Sequence, residues 1–354
     1  MQPASSRFPR GTDGTRTGYR RRGISRALLS ALACLAGLGC LAGLVTAKLH
    51  LSSTRPTVLS RLPALPHGTP APAPGSATPS QPQLGAVSWP ADGVSAAGIG
   101  GYGVTDGPGA TRQVPIASVA KLMTAYVILQ DHPLSGRGSG PDITVEPSEA
   151  AEYPSQAANG DSLVAVAAGE TITERQALEA LLLPSADNMA WILARWDAGS
   201  QVVFTARMNA AARSLGMTGT SYTDPSGLDP STASTAADQV RLGIAAMQVP
   251  ALAAITAEPT AVVPVAGVVR NTNALLGQDG IAGLKTGSTQ AAGGCLLVAA
   301  WQEVSGRKTL IVAATFGQPG TAGTILPNAL EAGRDLVLAL DAALGRGAAG
   351  SHDS

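Results

Sequence analysis

The stretch PIASVAKLMT, residues 115–124, places a serine and a lysine three positions apart at the start of an apolar run. On a helix, residues so spaced share one face with Cβ atoms about 5–6 Å apart, so Lys121 can reach the hydroxyl of Ser118. A serine hydroxyl is a weak nucleophile until a neighbouring base takes its proton, and a lysine can be that base once its surroundings favour the free amine. Near a helix start, unpaired N–H groups and the helix dipole would also favour a developing negative charge. The pattern is short, and Ser305 and Lys308 repeat it in what reads as a hairpin turn. The assignment therefore depends on partners elsewhere in the chain.

The 354 residues are 45% apolar, enough for a sizeable core in one or two domains. Formal charge sums to zero, but unevenly: residues 1–26 carry seven arginines against Asp13 alone, leaving 17 basic and 23 acidic residues in the rest. That net of −6 offers no basic face for nucleic acid. Ala27 to Ala47 is a run of 21 uncharged residues between Arg26 and Lys48, long enough to cross a hydrocarbon core. The preceding arginines predict residues 1–26 as a cytoplasmic tail and 27–47 as a single-pass membrane anchor, with the remainder outside the cell membrane. A cleaved signal ending at Val45-Thr46-Ala47 is the alternative. Residues 48–83, with prolines at 56, 63, 66, 70, 72, 74, 79 and 82, read as an extended spacer.

Three of the four histidines fall in the membrane border, spacer and tail, leaving His132 alone in the body. A histidine-ligated zinc site or a Ser-His-Asp triad has little to draw on. Cys34 and Cys40 lie in the membrane segment and Cys295 in an apolar run, so no disulfide is expected.

The folded part is predicted over residues 84–345, with 346–354 a frayed tail. Ala97 to Val104 reads as a first strand, and the Ser118 helix runs to about Gln130. Thr171 to Trp196 is helical in pattern, with a capping box at Thr173-Glu174-Arg175-Gln176 and a break at Pro184. Helices follow over Gln201–Leu215, closed by Gly216, and Ala236–Met247, with a long polar loop between them. Cys295–Trp301 and Thr309–Phe316 read as a buried antiparallel hairpin, and Leu326 to Leu344 as one face of a last helix. This order predicts an α+β fold, an antiparallel sheet flanked by helices with an inserted helical lobe and a cleft between the two.

Past the Pro184 break stands Ser185-Ala186-Asp187-Asn188, and much later Lys285-Thr286-Gly287-Ser288. A Ser-x-x-Lys nucleophile, a Ser-x-Asn-like element and a Lys-Thr-Gly strand, in this order, resemble the motif set of penicillin-binding proteins and class A β-lactamases. The sequence resembles most the serine D-alanyl-D-alanine carboxypeptidases, the low-molecular-weight penicillin-binding proteins. The resemblance extends over Leu182–Ala186, Met208-Asn209 with Leu215-Gly216-Met217, Asp224-Pro225-Ser226-Gly227-Leu228, Ser234-Thr235-Ala236, Asn271-Thr272-Asn273 and Gly283–Gly287.

The resemblance implies a β-lactamase/transpeptidase-like fold and an acyl-enzyme formed by Ser118 on peptidoglycan stem peptides ending in D-Ala-D-Ala, with β-lactam antibiotics as covalent inhibitors. It casts Lys121 as proton acceptor, Ser185 as proton relay to the leaving D-alanine, and Lys285 and Thr286 as binders of the terminal carboxylate. Gly287 allows close backbone approach, and the N–H groups of Ser118 and Ser288 form the oxyanion hole. No cofactor is implied. One position departs from the pattern: Asp187 stands where the family usually has asparagine. A carboxylate can only accept hydrogen bonds, and beside Lys121 it would hold that side chain's proton; Asn188 could take the amide's role after a local shift. Alternatives are a β-lactamase, against which the absence of a Glu-x-x-Leu-Asn element argues, and a cell-wall-binding protein impaired by Asp187.

Overall fold

A computed structural model describes residues 86–99, 103–304 and 306–350, with side chains to residue 345. The tail, anchor and spacer expected over residues 1–83 lie outside the described residues, as do 351–354. Among the described residues no single helix is long and apolar enough to cross a membrane.

The chain opens with β1 (Val94–Ile99) and β2 (Gly103–Asp106). After the short strand β3 (Val114–Pro115) comes a 3-10 turn, Ala117–Ala120, which runs directly into α1 (Lys121–Asp131). Then follow β4 (Asp142–Thr144), α2 (Pro147–Asn159), β5 (Thr171–Thr173), α3 (Glu174–Leu182), α4 (Asp187–Ala198) and α5 (Gln201–Ser214). The short β6 (Ala233–Ser234) pairs with β3, and α6 (Ala236–Met247), α7 (Pro250–Thr256) and the hairpin β7 (Thr260–Val263) and β8 (Gly267–Arg270) complete the inserted part. The chain then forms β9 (Ile281–Thr289), β10 (Gly293–Val304), β11 (Arg307–Gln318) and α8 (Ile325–Gly350).

The main sheet is antiparallel throughout, in the order β2-β1-β11-β10-β9. Both of its faces are covered, which is why its strands read as continuous apolar runs rather than as polar-apolar alternation. The alternation survives as a choice between two cores. Leu296, Val298, Ala300, Ile311 and Ala313 join the core formed with α8 through Leu336, Val337, Leu340 and Leu344. Their neighbours Cys295, Leu297, Ala299, Val312, Ala314 and Phe316 join the other core, shared with the helical insertion.

The α+β expectation holds, as do the Pro184 break, the closing hairpin and the last helix, but α8 runs on to Gly350, into the tail expected to fray from residue 346, and Thr171–Thr173, read as helical, forms β5. The predicted first strand differs. Ala97–Val104 spans parts of two paired strands, with Ile99 opposite Gly103; Gly103 has φ +93°, a conformation glycine adopts without cost. The insertion also contains α2 and α7, which the sequence did not reveal.

Candidate active site

The site forms where the first residues of the α1 segment meet the edge strand β9. Ala117 has φ +47°, a left-handed conformation that is rare for a residue with a Cβ. It turns the chain sharply from β3 into the 3-10 turn, with Ser118 half-buried beside buried Ala117 and Val119. Strains of this kind concentrate at functional positions. Gly227, at φ +81°, packs against the Ala117 carbonyl so closely that a Cβ there would overlap it.

Lys121 is fully buried. Its Nζ donates to Ser118 Oγ at 2.8 Å, to Asp187 Oδ1 at 2.6 Å and to the Ser226 carbonyl at 3.1 Å. Three oxygen atoms thus surround the Lys121 Nζ. Asp187, the first residue of α4, is nearly as buried, and its Oδ2 accepts the backbone N–H of Ser162 at 2.9 Å.

Asn188 points elsewhere. Its Oδ1 accepts the Val164 N–H at 3.3 Å and its Nδ2 donates to the Val164 carbonyl at 2.8 Å, both within buried surroundings. This corrects the expectation that Asn188 could supply the amide beside Lys121. The side chain holds residues 162–164 against α4, and the place of the amide is filled by the Asp187 carboxylate.

Ser185 occupies the turn between α3 and α4 with φ +67°, and its buried Oγ has no hydrogen-bond partner. An orphaned hydroxyl on a strained backbone costs stability. The turn is tied to β9 by a residue whose role the sequence did not disclose. Thr272 donates its N–H to the Leu183 carbonyl at 3.0 Å, and its hydroxyl lies 2.6 Å from Thr286 Oγ1.

On β9, Lys285 is buried and donates to the Thr286 carbonyl at 2.9 Å. Burial, then the nearby charge of Lys121, push the Lys285 amine well below the ordinary lysine range; Asp187 opposes this in part. Gly287 faces the 3-10 turn: a Cβ would come within 2.9 Å of Ser118 N, 3.0 Å of Val119 N and 3.1 Å of the Ile116 carbonyl. Ser288, the next residue, is exposed at the strand's outer end.

Backbone groups complete the site, and a loop whose composition alone hints at order positions them. Asp224 Oδ2 accepts the Ser226 hydroxyl at 2.6 Å and the N–H groups of Ser226, Gly227 and Leu228 at 3.2, 2.8 and 3.1 Å. Thr124 on α1 donates to the Pro225 carbonyl at 2.6 Å. One carboxylate therefore holds the Ser226 carbonyl on Lys121 and Gly227 under Ala117.

A serine and a lysine at a helix start thus face a Lys-Thr-Gly edge strand, with a Ser-x-Asp turn bringing Asp187 onto the lysine, on an α+β fold of antiparallel sheet and helices. The sequence model of the D-alanyl-D-alanine carboxypeptidase peptidases matches residues 107–317, and the chain belongs to that family. A D-alanyl-D-alanine carboxypeptidase of Mycobacterium tuberculosis is 42% identical over 161 residues, 44% of this chain and 54% of the relative. The alignments span a little over half the length of the first curated relatives matched. Among solved structures, a D-alanyl-D-alanine carboxypeptidase from M. tuberculosis superposes with a TM-score of 0.61 at 33% identity, covering 72% of this chain and 95% of that one. The Streptomyces K15 DD-transpeptidase shares the fold, with a TM-score of 0.62 at 24% identity, covering 72% of this chain and all of that one.

Proposed function

We propose that the protein is a serine-type D-alanyl-D-alanine carboxypeptidase that trims peptidoglycan stem peptides through an acyl-enzyme on Ser118. The observation that carries this is the 2.8 Å contact between Lys121 Nζ and Ser118 Oγ, set against a Lys-Thr-Gly strand in a chain of this family. Ser118 Oγ bonds to the carbonyl carbon between the two D-alanines, and its proton passes to Lys121. The amine of the terminal D-alanine leaves with a proton relayed by Ser185, and water then hydrolyses the ester. Lys285 and Thr286 hold the terminal carboxylate, and the Ser118 and Ser288 N–H groups stabilise the oxyanion, where loss of one donor costs about 100-fold or more.

Intact mass after exposure to benzylpenicillin tests the reading. A penicilloyl adduct that persists for many minutes and is lost in Ser118→Ala is the expected result, and a transient adduct with drug hydrolysis would favour a β-lactamase. The 2.6 Å contact between Lys121 and Asp187 favours one second reading: a cleft that binds stem peptides while its lysine stays engaged with a carboxylate. Folded protein that forms no adduct would establish that one instead.

We also propose that residues 27–47 anchor the chain in the cell membrane, with residues 1–26 cytoplasmic, 48–83 a spacer and the catalytic domain outside. The arginine-flanked apolar run supports this. Protection of the N-terminus, but not of the domain, from protease added to intact cells is the outcome that tests it.

A further inference from the structure

Between β8 and β9 the chain passes through Asn271-Thr272-Asn273, and the middle residue touches both the Lys-Thr-Gly strand and the turn that carries Ser185. The two asparagines are taken up by the backbone around them. Asn271 Nδ2 donates to the carbonyls of Thr256 and Glu258 at 3.2 and 3.0 Å, and its Oδ1 accepts the Asn273 N–H at 2.9 Å. Asn273 Oδ1 accepts the Leu275 N–H at 3.1 Å, and its Nδ2 donates to the Gly283 carbonyl at 3.4 Å. These bonds pin the segment on both sides of Thr272, whose hydroxyl lies 2.6 Å from Thr286 Oγ1.

The Leu183 carbonyl belongs to the end of α3, where carbonyls lack a partner within the helix. It accepts the Thr272 N–H at 3.0 Å and lies 3.3 Å from the Thr272 hydroxyl. That hydroxyl has a single proton and two acceptors within reach. With the proton on Leu183, the contact between the threonines uses the Thr286 proton. With the proton turned onto Thr286, the Thr286 proton is released to a ligand, and the Leu183 carbonyl keeps the N–H. The exchange therefore strands no buried group. Thr286 is buried and β-branched, so its hydroxyl and methyl trade places by one rotamer step. The bond to Thr272 decides which of the two lies on this side.

We propose that Thr272 is a positioning residue for the substrate's terminal carboxylate: it holds the Thr286 rotamer and, once the carboxylate is bound, donates to Thr286 Oγ1 so that the Thr286 proton goes to the carboxylate. The proposal rests on the carboxypeptidase reading, in which Lys285 and Thr286 bind that group. Hydrogen bonds linked in this way polarise one another, which makes the Thr286 hydroxyl a better donor than it is alone.

Steady-state turnover of diacetyl-Lys-D-Ala-D-Ala by the full-length protein tests this, with the C-terminal amide of the same peptide as a competing ligand. Thr272→Val keeps the shape of the side chain and the N–H bond to Leu183 but removes the hydroxyl. It should raise KM for the acid about 5-fold, the loss expected for one hydrogen bond, with kcat within about twofold and the inhibition constant of the amide unchanged. Thr272→Ser retains the hydroxyl and should bring KM back to within about twofold of the unaltered protein. An unchanged KM in Thr272→Val, an equal weakening of acid and amide, or a serine variant no better than the valine one would each overturn the assignment. The penicillin adduct on Ser118 judges the carboxypeptidase reading separately. An adduct without a response to Thr272→Val leaves the enzyme and removes the positioning role, whereas neither adduct nor turnover removes both.

Discussion

Asp187 Oδ1 lies 2.6 Å from Lys121 Nζ, and both side chains are buried. The pair joins the first turn of α4 to the first residue of α1, three positions after Ser118. Breaking a buried pair leaves its partner's charge uncompensated, while asparagine here restores the amide usual in the family pattern. Asp187→Asn should therefore acylate with benzylpenicillin at an unchanged or several-fold higher rate. The same variant should melt a few degrees lower. A large fall in the acylation rate, measured by stopped-flow or intact mass, would contradict this account of the position.

Gly287 packs β9 closely against the 3-10 turn that carries Ser118. A methyl group there meets three backbone atoms at about 3 Å, and backbone cannot step aside as a flexible side chain can. Gly287→Ala should push the strand away from Ser118 and cost about 100-fold in acylation rate. Near-wild-type rates in the alanine variant would show that the two elements do not need this proximity.

Under the carboxypeptidase reading proposed above, Lys285 sets a pH dependence for substrate binding. Burial and the charge of Lys121 lower its amine well below the ordinary range, yet a bound carboxylate needs it as a cation. KM for a carboxylate-bearing peptide should consequently rise as pH increases through the lowered value, whereas a peptide amide should lack that dependence. Calorimetry in buffers of different ionisation enthalpy should show proton uptake when the carboxylate binds, and no uptake would count against the assignment.

Glu174 at the start of α3 is fully buried, with neither carboxylate oxygen hydrogen-bonded, and desolvation raises it to about 7. Its folded value lies above its unfolded value of 4.5. The native state thus binds the extra proton, and stability is lost as pH rises from about 4.5 through 7. Glu174→Gln keeps the shape without the charge. It should raise Tm by roughly 2–4 °C at pH 8 and change it little at pH 5. Equal shifts at both values would point to packing rather than ionisation.

Much of this molecule could be read from its chain. Pro184 marked the break between α3 and α4 because proline removes a donor and constrains the residue before it. The β10–β11 hairpin announced itself through two apolar runs around a polar turn. Helix α2 did not: of its side chains only Gln156 is buried, and Pro154 sits inside it, so no apolar stripe exists for periodicity to find. At the site, Ser118, Lys121, Asp187 and Lys285 were legible as side chains of a recurrent spacing. The Ser226 carbonyl on Lys121 and the Ser162 N–H on Asp187 were not, since every residue carries such groups and only the fold selects among them. Asn188 shows the converse, a side chain of the right chemistry that α4 turns toward Val164.

The sheet pairs the first strand of the domain with the last: Val94 to Ile99 lie in register with Phe316 to Ile311. Ser118 precedes β9, the strand that faces it, by more than 160 residues, and β1 has no central neighbour until β11 follows. Lys121 finds Asp187 and the Ser226 carbonyl ahead of β9 in the chain, whereas Ser118 faces Gly287 only through β9 itself. Ser118 therefore meets its facing strand only when β9 is in place and β11 has joined β1 to β10 in the sheet.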